Sequence, residues 1–488
     1  MRRTALASAV LLLLGGCNAV GPDYQAPAES DAQALASFPS AGEAATVSAV
    51  LVSEPPELWW QGLHDPDLDA LMLKALDANN DLKVAIANVE AVRAQLRQVE
   101  TRRLPTVDVN GTVRERREAQ AAQRKADAHN EAPTRALATI GVDLLWEIDL
   151  FGRVRRSVEA AAADLGSLEA VRNNVLLSLL STVASSYIDL RGAQMRMAVA
   201  ARNVAVQQQT LDLVLLLTRE GAATELDVAR ARTQLLTSQA TIPVQRAVAR
   251  AALNRLTTLT SQPPGALDAQ LAVNRPMPTL PELVAVGQPA DLLRRRPDIQ
   301  AAERALAAAS ARIGVATADL FPTVSLIGGA GVSASPIGSL AAAGAPFFTF
   351  GPALRWNIFD RDAIYARIAQ ADSAAAAGVA RYQATVTQAL EEVDSAVSAY
   401  GNERERQAQL VAAVAASRDA AQLAELRFKE GAEDFLTVLD AERSLLQLED
   451  QQAVSAITVA QSLVAIHRAL GGGWQNASLP AHQGYRAE

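Results

Sequence analysis

The stretch EGAATELDVARARTQL at residues 220–235 returns 210 residues later as EGAEDFLTVLDAERSL at 430–445, with seven of the sixteen positions identical. Trp146 and Trp356 are separated by the same interval. A repeat this long is a duplication of a whole folding unit rather than one rung of a solenoid. Any fold proposed for the chain must therefore be built twice.

Each copy has the same programme. A helical period runs from about Asp67 to Arg103, with Leu68, Leu71, Met72, Ala75, Leu82 and Ile86 roughly three or four apart. TVDVNGTVR then alternates, Val107, Val109 and Val113 against Asp108, Asn110, Thr112 and Arg114. ALATIGVDLLWEIDL repeats the alternation, with Ile140, Val142, Leu144, Trp146 and Ile148 on one side and Thr139, Gly141, Asp143 and Glu147 on the other. After Gly152 a helical period without proline continues to about Thr218, on the order of 100 Å at 1.5 Å per residue. Gly221 ends it, and Thr224 can cap a return helix to about Thr260. The second copy has a helix over about 291–319, strands, a long helix over about 361–429, a turn at Gly431 and a return helix to about Leu470.

The boundaries read from this pattern are a signal peptide at 1–16, a tether at 17–60 and a first repeat at 61–262 with strands near 105–116 and 134–150. A Pro-rich link at 263–290 leads to a second repeat at 291–470, with strands near 321–335 and 346–360, and a tail at 471–488.

The first sixteen residues have two arginines, a short apolar run and small residues before Cys17, the only cysteine. That is a secretory signal, too short to span a bilayer as a helix. LLGGC also resembles a bacterial lipobox, which makes Cys17 a lipidated mature N-terminus; the competing reading is an ordinary signal with an incidental cysteine. Asn18 stands where inner-membrane lipoproteins commonly carry aspartate, so the expected destination is the outer membrane. One cysteine permits no disulfide within the chain, so packing or oligomerisation must hold it together. Loss of Arg2 and Arg3 takes the formal charge from −8 to −10, a poor start for nucleic-acid binding.

Enzyme chemistry has little support. His64, His129, His467 and His482 are scattered, with no ligand spacing for a metal. Neither G-x-S-x-G nor a Walker loop is present, and GGAG at 328–331 interrupts an alternating strand. LRRRPD reads as a solvated helix start at Pro297. No catalytic group, metal or cofactor is expected beyond a covalent lipid on Cys17.

Aromatic residues make up only 4% of the chain, too few for large globular cores, so long alanine- and leucine-rich helices are favoured. Four strands cannot close a barrel, and an open sheet with an apolar face would leave a sticky patch. A soluble sandwich gives the same alternation; beside helices of this length, a transmembrane wall shared between chains fits better, with at least about eight strands needed for closure. From a different class, the chain could be a coiled-coil lipoprotein tethered to one membrane by Cys17.

WWQGLHDPDLDALMLKALDANNDLKVAIANVEAVRAQL, ADLLRRRPDIQAAERALAAASARIGVATADLFPTVSL, FKEGAEDFLTVLDAERSLLQLEDQQ and RALGGGW resemble the outer-membrane efflux protein family, the TolC-like channels, in particular the lipidated OprM or NodT type. The resemblance spans essentially the whole mature chain. It implies an α+β membrane protein: a homotrimer whose twelve strands, four per chain, form one outer-membrane β-barrel, continued by a periplasmic coiled-coil helical barrel. It implies the exit duct of a tripartite efflux pump, docked through a periplasmic adaptor onto an inner-membrane pump of the resistance-nodulation-division (RND) type, passing drugs or other small toxic compounds. The exit duct of a type I secretion or other export system is the alternative.

The resemblance also implies a periplasmic gate at the hairpin ends, where Leu436 and Asp440 match rings of leucine and aspartate at the narrowest point; three carboxylates there would repel one another and attract cations. Asp227 matches an acidic position that pairs with the second hairpin. Phe428 stands where the family has a tyrosine and Glu433 where it has an arginine, so that lock cannot form, and a bridge from Arg427 to Asp227 is the expected substitute. Without the resemblance, Leu436 reads as core and Asp440 as a solvated face.

Overall fold

The computed structural model describes residues 19–26, 38–41, 50–51, 53–117, 134–335, 337–342 and 344–475; the secretory segment, Cys17, Asn18, the rest of the tether and the tail from 476 lie outside the described residues. The chain divides into two compact units, one taking residues up to Pro27, Glu90–Leu168 and Ala302–Tyr382, the other Ala28–Val89, Glu169–Ala301 and the chain from Gln383 onward.

In the first unit β1 (Thr106–Arg117), β2 (Thr134–Ile148), β3 (Thr323–Ala334) and β4 (Pro346–Arg355) form one antiparallel sheet in that order. Each copy of the duplication supplies one hairpin, and β2 pairs with β3 to join them. Directly paired residues share a face. Val107, Val109 and Val113 oppose Leu144, Val142 and Ala138, and the same face continues through Val332, Ala330 and Leu326 to Phe348, Pro352 and Leu354. It is bare in a single chain, with Val109 80% and Phe348 83% exposed. The other face is more polar, though Leu145, Ile327 and Phe347 also lie on it: Asp108 pairs with Asp143, the Asn110 amide donates to Asp143, and the Thr139 and Ser333 hydroxyls lie 3.0 Å apart. Where β2 crosses β3, a Cβ on Gly331 would fall 2.3 Å from the Ile140 carbonyl oxygen, and its partner is Gly141. Two facing glycines let the backbones close there.

The repeated tryptophans mark a repeated junction. Trp146 donates its indole N–H to the Arg103 carbonyl and Trp356 to that of Leu320, each at 3.0 Å, tying the end of β2 and of β4 to the residues just before β1 and β3. The last strand therefore stops at Arg355 rather than 360, because from Trp356 the chain turns to start the next helix. The segment from Val20 to Tyr24 is sewn to this unit: Val20 N–H donates to the Phe151 carbonyl at 3.0 Å, Arg156 donates to the Val20 and Gly21 carbonyls and to Asp23, and the Tyr24 hydroxyl donates to Glu303 at 2.9 Å.

The helices are α1 (Pro66–Ala78), α2 (Asn80–Glu100), α3 (Arg153–Arg219), α4 (Glu225–Leu259), α5 (Pro297–Ala318), α6 (Arg361–Lys429) and α7 (Phe435–Ala469). The single helix expected over 67–103 is two. Asn79 leaves the helical conformation at ψ 127°, its Oδ1 accepts from Leu82 N–H to start α2, and its amide donates to the Leu259 carbonyl at 2.9 Å. The helix expected over 291–319 is likewise interrupted. Arg296 is extended at ψ 117°, because the proline after it disfavours helical backbone, and α5 begins at Pro297. LRRRPD is solvated only at Arg294, and Arg296 is buried. The Arg296 guanidinium donates to the Ala469 carbonyl at 2.9 Å and pairs with Asp298 and Glu392. Trp474 donates to the Arg295 carbonyl at 2.9 Å, and Trp59 stacks on His467 at 4.8 Å. LLRRRPDI and ALGGGW thus clasp each other, and burial followed by the Arg295 charge pushes His467 down to about 3, so its ring is neutral at physiological pH.

Between α1 and α3 lies a fully buried cation. Arg191 donates to the Tyr187 hydroxyl, Gln194, the Val273 carbonyl and Asp67, all at 2.8–2.9 Å, and the Tyr187 hydroxyl donates to Asp65 at 2.7 Å. Every guanidinium nitrogen is matched, which is what allows an arginine to be buried. Arg191→Met should lower unfolding free energy by roughly 3 kcal/mol, because Asp67, Gln194 and the Val273 carbonyl lose their buried donor and Asp67 keeps only the half-exposed Arg275 at 3.4 Å. Thermal unfolding followed by circular dichroism in detergent checks this, and adding Asp67→Leu should recover part of the loss.

Candidate functional site at the hairpin tips

Both tips are built from the same turn chemistry. Gly221 and Gly431 have φ +78° and +71°, a backbone region only glycine enters freely. In each turn the following N–H reaches back over the helix end, Ala222 to the Leu217 carbonyl at 2.8 Å and Ala432 to the Arg427 carbonyl at 2.9 Å, satisfying a terminal carbonyl. No atom lies within 4 Å of a Cβ placed on either glycine, so conformation and not space demands them.

The caps of the return helices are chemical mirror images. In the first hairpin Thr224 caps α4 and Asp227 closes the box, its carboxylate accepting from the Thr224 N–H at 3.1 Å and from the Thr224 hydroxyl at 2.6 Å. In the second hairpin the acid comes first: Asp434 caps α7 and accepts from the Thr437 N–H at 2.9 Å and hydroxyl at 2.8 Å. Those two bonds, aided by the Arg230 guanidinium, hold the Asp434 carboxyl below the usual aspartate range.

Within the chain the residues expected at the gate fall into two groups. Leu436 is 41% and the Asp440 side chain 65% exposed, and the nearest cation to Asp440 is Arg443 at 3.9 Å, one turn along. Both project from a helix whose opposite side is firmly packed. Phe435, Val438 and Leu439 join Leu211 and Val214 of α3, Val228, Ala231 and Leu235 of α4, and Ala424 of α6 in one core shared by the two hairpins. Phe428 packs on that core and on Phe435 at 5.6 Å; without a hydroxyl it contributes apolar contact where a tyrosine would bond.

The expected bridge from Arg427 to Asp227 is absent. Arg427 pairs with Glu433 at 3.3 Å across its own turn, while Asp227 is occupied by Thr224 and lies 3.7 Å from Arg230. Arg427 takes the acid its own turn presents. Arg230, at the position equivalent to Asp440, stays on its own helix face and reaches Asp434 only through its field.

Polar links that join the hairpins were not legible in the sequence. Glu442 of α7 accepts from the Thr210 hydroxyl of α3 at 2.8 Å, and Arg443 donates to Gln234 of α4 at 3.0 Å. Further from the tip Arg196 and Asp450 form a two-pronged pair at 2.9 and 3.0 Å. Burial pushes the Glu442 carboxyl above the ordinary glutamate value, partly countered by the Thr210 bond. Among the described residues no group of three or more His, Cys, Asp or Glu side chains could hold a metal ion, and no helix is long and apolar enough to cross a membrane.

This arrangement has counterparts in known proteins. The family profile for outer membrane efflux proteins matches residues 71–262 and 289–472, one segment in each copy of the duplication. The antibiotic efflux pump outer membrane protein ArpC of Pseudomonas putida is 31% identical over 99% of this chain and 98% of its own length. The toluene efflux pump outer membrane protein TtgC, also of Pseudomonas putida, is 31% identical with the same coverage. The solved outer-membrane channel OprN superposes with a TM-score of 0.86 at 38% identity, over 93% of this chain and 99% of that one. The chain belongs to the outer membrane efflux protein family.

Proposed function

We propose that this protein is the outer-membrane exit duct of a tripartite RND-type efflux pump, carrying drugs and other small toxic compounds out of the periplasm. The observation that carries the reading is the four-stranded sheet, apolar on one face and more polar on the other, in a chain that matches outer-membrane efflux components along its full length. The names of its relatives, one an antibiotic and one a toluene efflux component, support small toxic cargo. In this reading the chain is not an enzyme and needs no cofactor.

The sheet has two unpaired edges, and a barrel wall in lipid cannot have any. Three copies supply twelve strands, enough for a closed barrel with apolar side chains toward lipid and Asp108, Asn110, Asp143 and Thr139 toward the lumen. The same trimer brings six hairpin tips together. A periplasmic adaptor engages the helical part and couples it to the inner-membrane pump. A lipid on Cys17 adds an anchor at the N-terminus.

At rest the tips close the duct. The side chains free to meet their copies across the axis are Leu436, which seals by apolar contact, and Asp440, whose three carboxylates make the constriction cation-attracting and electrostatically unwilling to stay shut. Closure is then held by the shared tip core and by Thr210–Glu442 and Gln234–Arg443. The double substitution Leu436→Ala with Asp440→Ala should raise the open population about tenfold, equivalent to ~1.4 kcal/mol of lost closed-state preference, and raise antibiotic uptake. Planar-bilayer recording reads this directly, and an unchanged open probability removes the pair from the gate.

Anchor and barrel separate cleanly in a second experiment. Cys17→Ser should abolish labelling with a fatty-acid analogue yet leave the protein in the membrane through a high-pH carbonate wash. Release by that wash would mean that the lipid alone holds the protein and would favour a tethered coiled-coil lipoprotein.

A further inference from the structure

Where the sheet of the first unit gives way to its helices, the apolar face carries a band of exposed aromatic and basic side chains. Trp146 lies on that face opposite Leu326, and Trp356 continues it beyond Leu354. Both indoles are partly exposed, with their N–H groups bound to the chain just before β1 and β3. After Trp356, Ile358 is half-exposed and Phe359 fully exposed. A ring with an apolar body and a tethered polar edge suits the boundary between hydrocarbon and water. Val20, three residues after Cys17, is held at this same end by its bond to the Phe151 carbonyl, so a lipid on Cys17 would share this level of the bilayer.

Cations stand beside the band. Arg102 and Arg103 close the short helical turn ahead of β1 and are exposed, and their guanidinium groups meet no acid among the described residues, Glu100 in the same turn included. Other acids at this end are taken: Glu147 pairs with Arg153, Asp149 with Arg155 and Asp319 with Arg367. The two arginines also depart from the duplication. LPTV at 104–107 answers FPTV at 321–324, so the second copy has Asp319 and Leu320 in their place. β1, unlike β3, is an edge strand. In a closed wall its edge meets the β4 edge of the next copy, and because neighbouring strands alternate in direction, the residues before β1 come to lie beside those after β4. Arg102 and Arg103 of one copy then flank Trp356, Ile358 and Phe359 of its neighbour.

We infer that each seam of the barrel binds an anionic phospholipid of the periplasmic leaflet, its phosphate held by the Arg102 and Arg103 guanidinium groups of one copy and its acyl carbons covering Trp356 and Phe359 of the next. This rests on the reading of the sheet as one panel of a shared membrane wall. A guanidinium fork matches two phosphate oxygens at once, and two unpaired cations at a bilayer surface favour a lipid of net negative charge over a zwitterionic one. The competing occupant is protein alone, an ion pair from the arginines to Asp360 or Asp362 of the neighbouring copy.

Native mass spectrometry of the purified trimer in mild detergent, with phosphatidylglycerol or phosphatidylcholine added, tests the site. The wild type should retain about three phosphatidylglycerol molecules per trimer, one for each seam, and hold them about tenfold or more tighter than phosphatidylcholine. Arg102→Gln with Arg103→Gln should erase that preference, and because both side chains are exposed the fold is left alone. Arg102→Lys with Arg103→Lys, which keeps the charge, should preserve most of it. Equal retention of the two lipids by the wild type, an undiminished preference in the glutamine variant, or displacement of the lipid by glycerol phosphate overturns the site. So does a glutamine variant whose trimers fall apart in lipid-free detergent, since the arginines would then be bound to the neighbour's acids. A trimer that retains phosphatidylglycerol in this way but conducts nothing in a planar bilayer refutes the duct and leaves the lipid site standing. Conducting channels indifferent to lipid charge refute the lipid site alone, and a protein that never assembles beyond one chain refutes the shared wall and the site with it.

Discussion

Along the outer edges of β1 and β4, backbone N–H and C=O groups have no partner strand among the described residues, and the face those strands share is apolar from Val107 to Leu354. Neither water nor lipid tolerates such a sheet on its own. Water is excluded by the apolar face, and lipid cannot satisfy the edges. Both demands are met only when copies of the chain complete one another's sheet. The facing Gly141 and Gly331, the Asn110–Asp143 bond and the polar lumen side make sense in such a shared wall, because they let strands close tightly and keep one face wet.

Duplication solves the construction and then has to be broken. Both copies retain the glycine turn, a side-chain cap on the return helix and the tryptophan that ties strand end to helix end. Those features are local, and each copy needs them for its own folding. The departures lie where the copies do different work. Thr224 and Asp227 become Asp434 and Thr437, which keeps the cap but moves the charge; Arg230 becomes Asp440, which puts a carboxylate instead of a cation on the exposed face next to Leu436. Arg191, the buried centre of the first copy, is replaced by Gly401 in the second, where Arg296 anchors a different clasp. Symmetry is kept in the backbone and given up in the charges.

Periodicity made the helices, the strands and the duplication legible, since a period of 3.6 or 2 is written in adjacent residues. Element ends were less so, because distant groups set them. Asn79 breaks the first helix while holding the Leu259 carbonyl 180 residues away, and Arg296 precedes α5 while bound to Ala469, 173 residues away. The same limit applies to the tips. Gly221 and Gly431 could be placed from their neighbours, but Thr210–Glu442 and Gln234–Arg443 depend on the register of one helix against another. Arg427 shows the opposite error: the resemblance points it at the distant Asp227, whereas Glu433 lies just across its own turn.

The distribution of packing along the hairpins bears on how such a tip can open. Nine buried side chains drawn from α3, α4, α6 and α7 form the core behind Leu436 and Asp440. At about 1.5–3 kcal/mol for each large apolar side chain, pulling the two hairpins apart through that core would expose roughly ten or more kcal/mol of burial, before the cross-hairpin hydrogen bonds are counted. The exposed Leu436 and the largely exposed Asp440 lie outside that core, so substitution of either leaves the burial that joins the hairpins untouched. Further from the tip the two hairpins are joined again by the two-pronged Arg196–Asp450 pair, so the contact between them does not end where the apolar core ends.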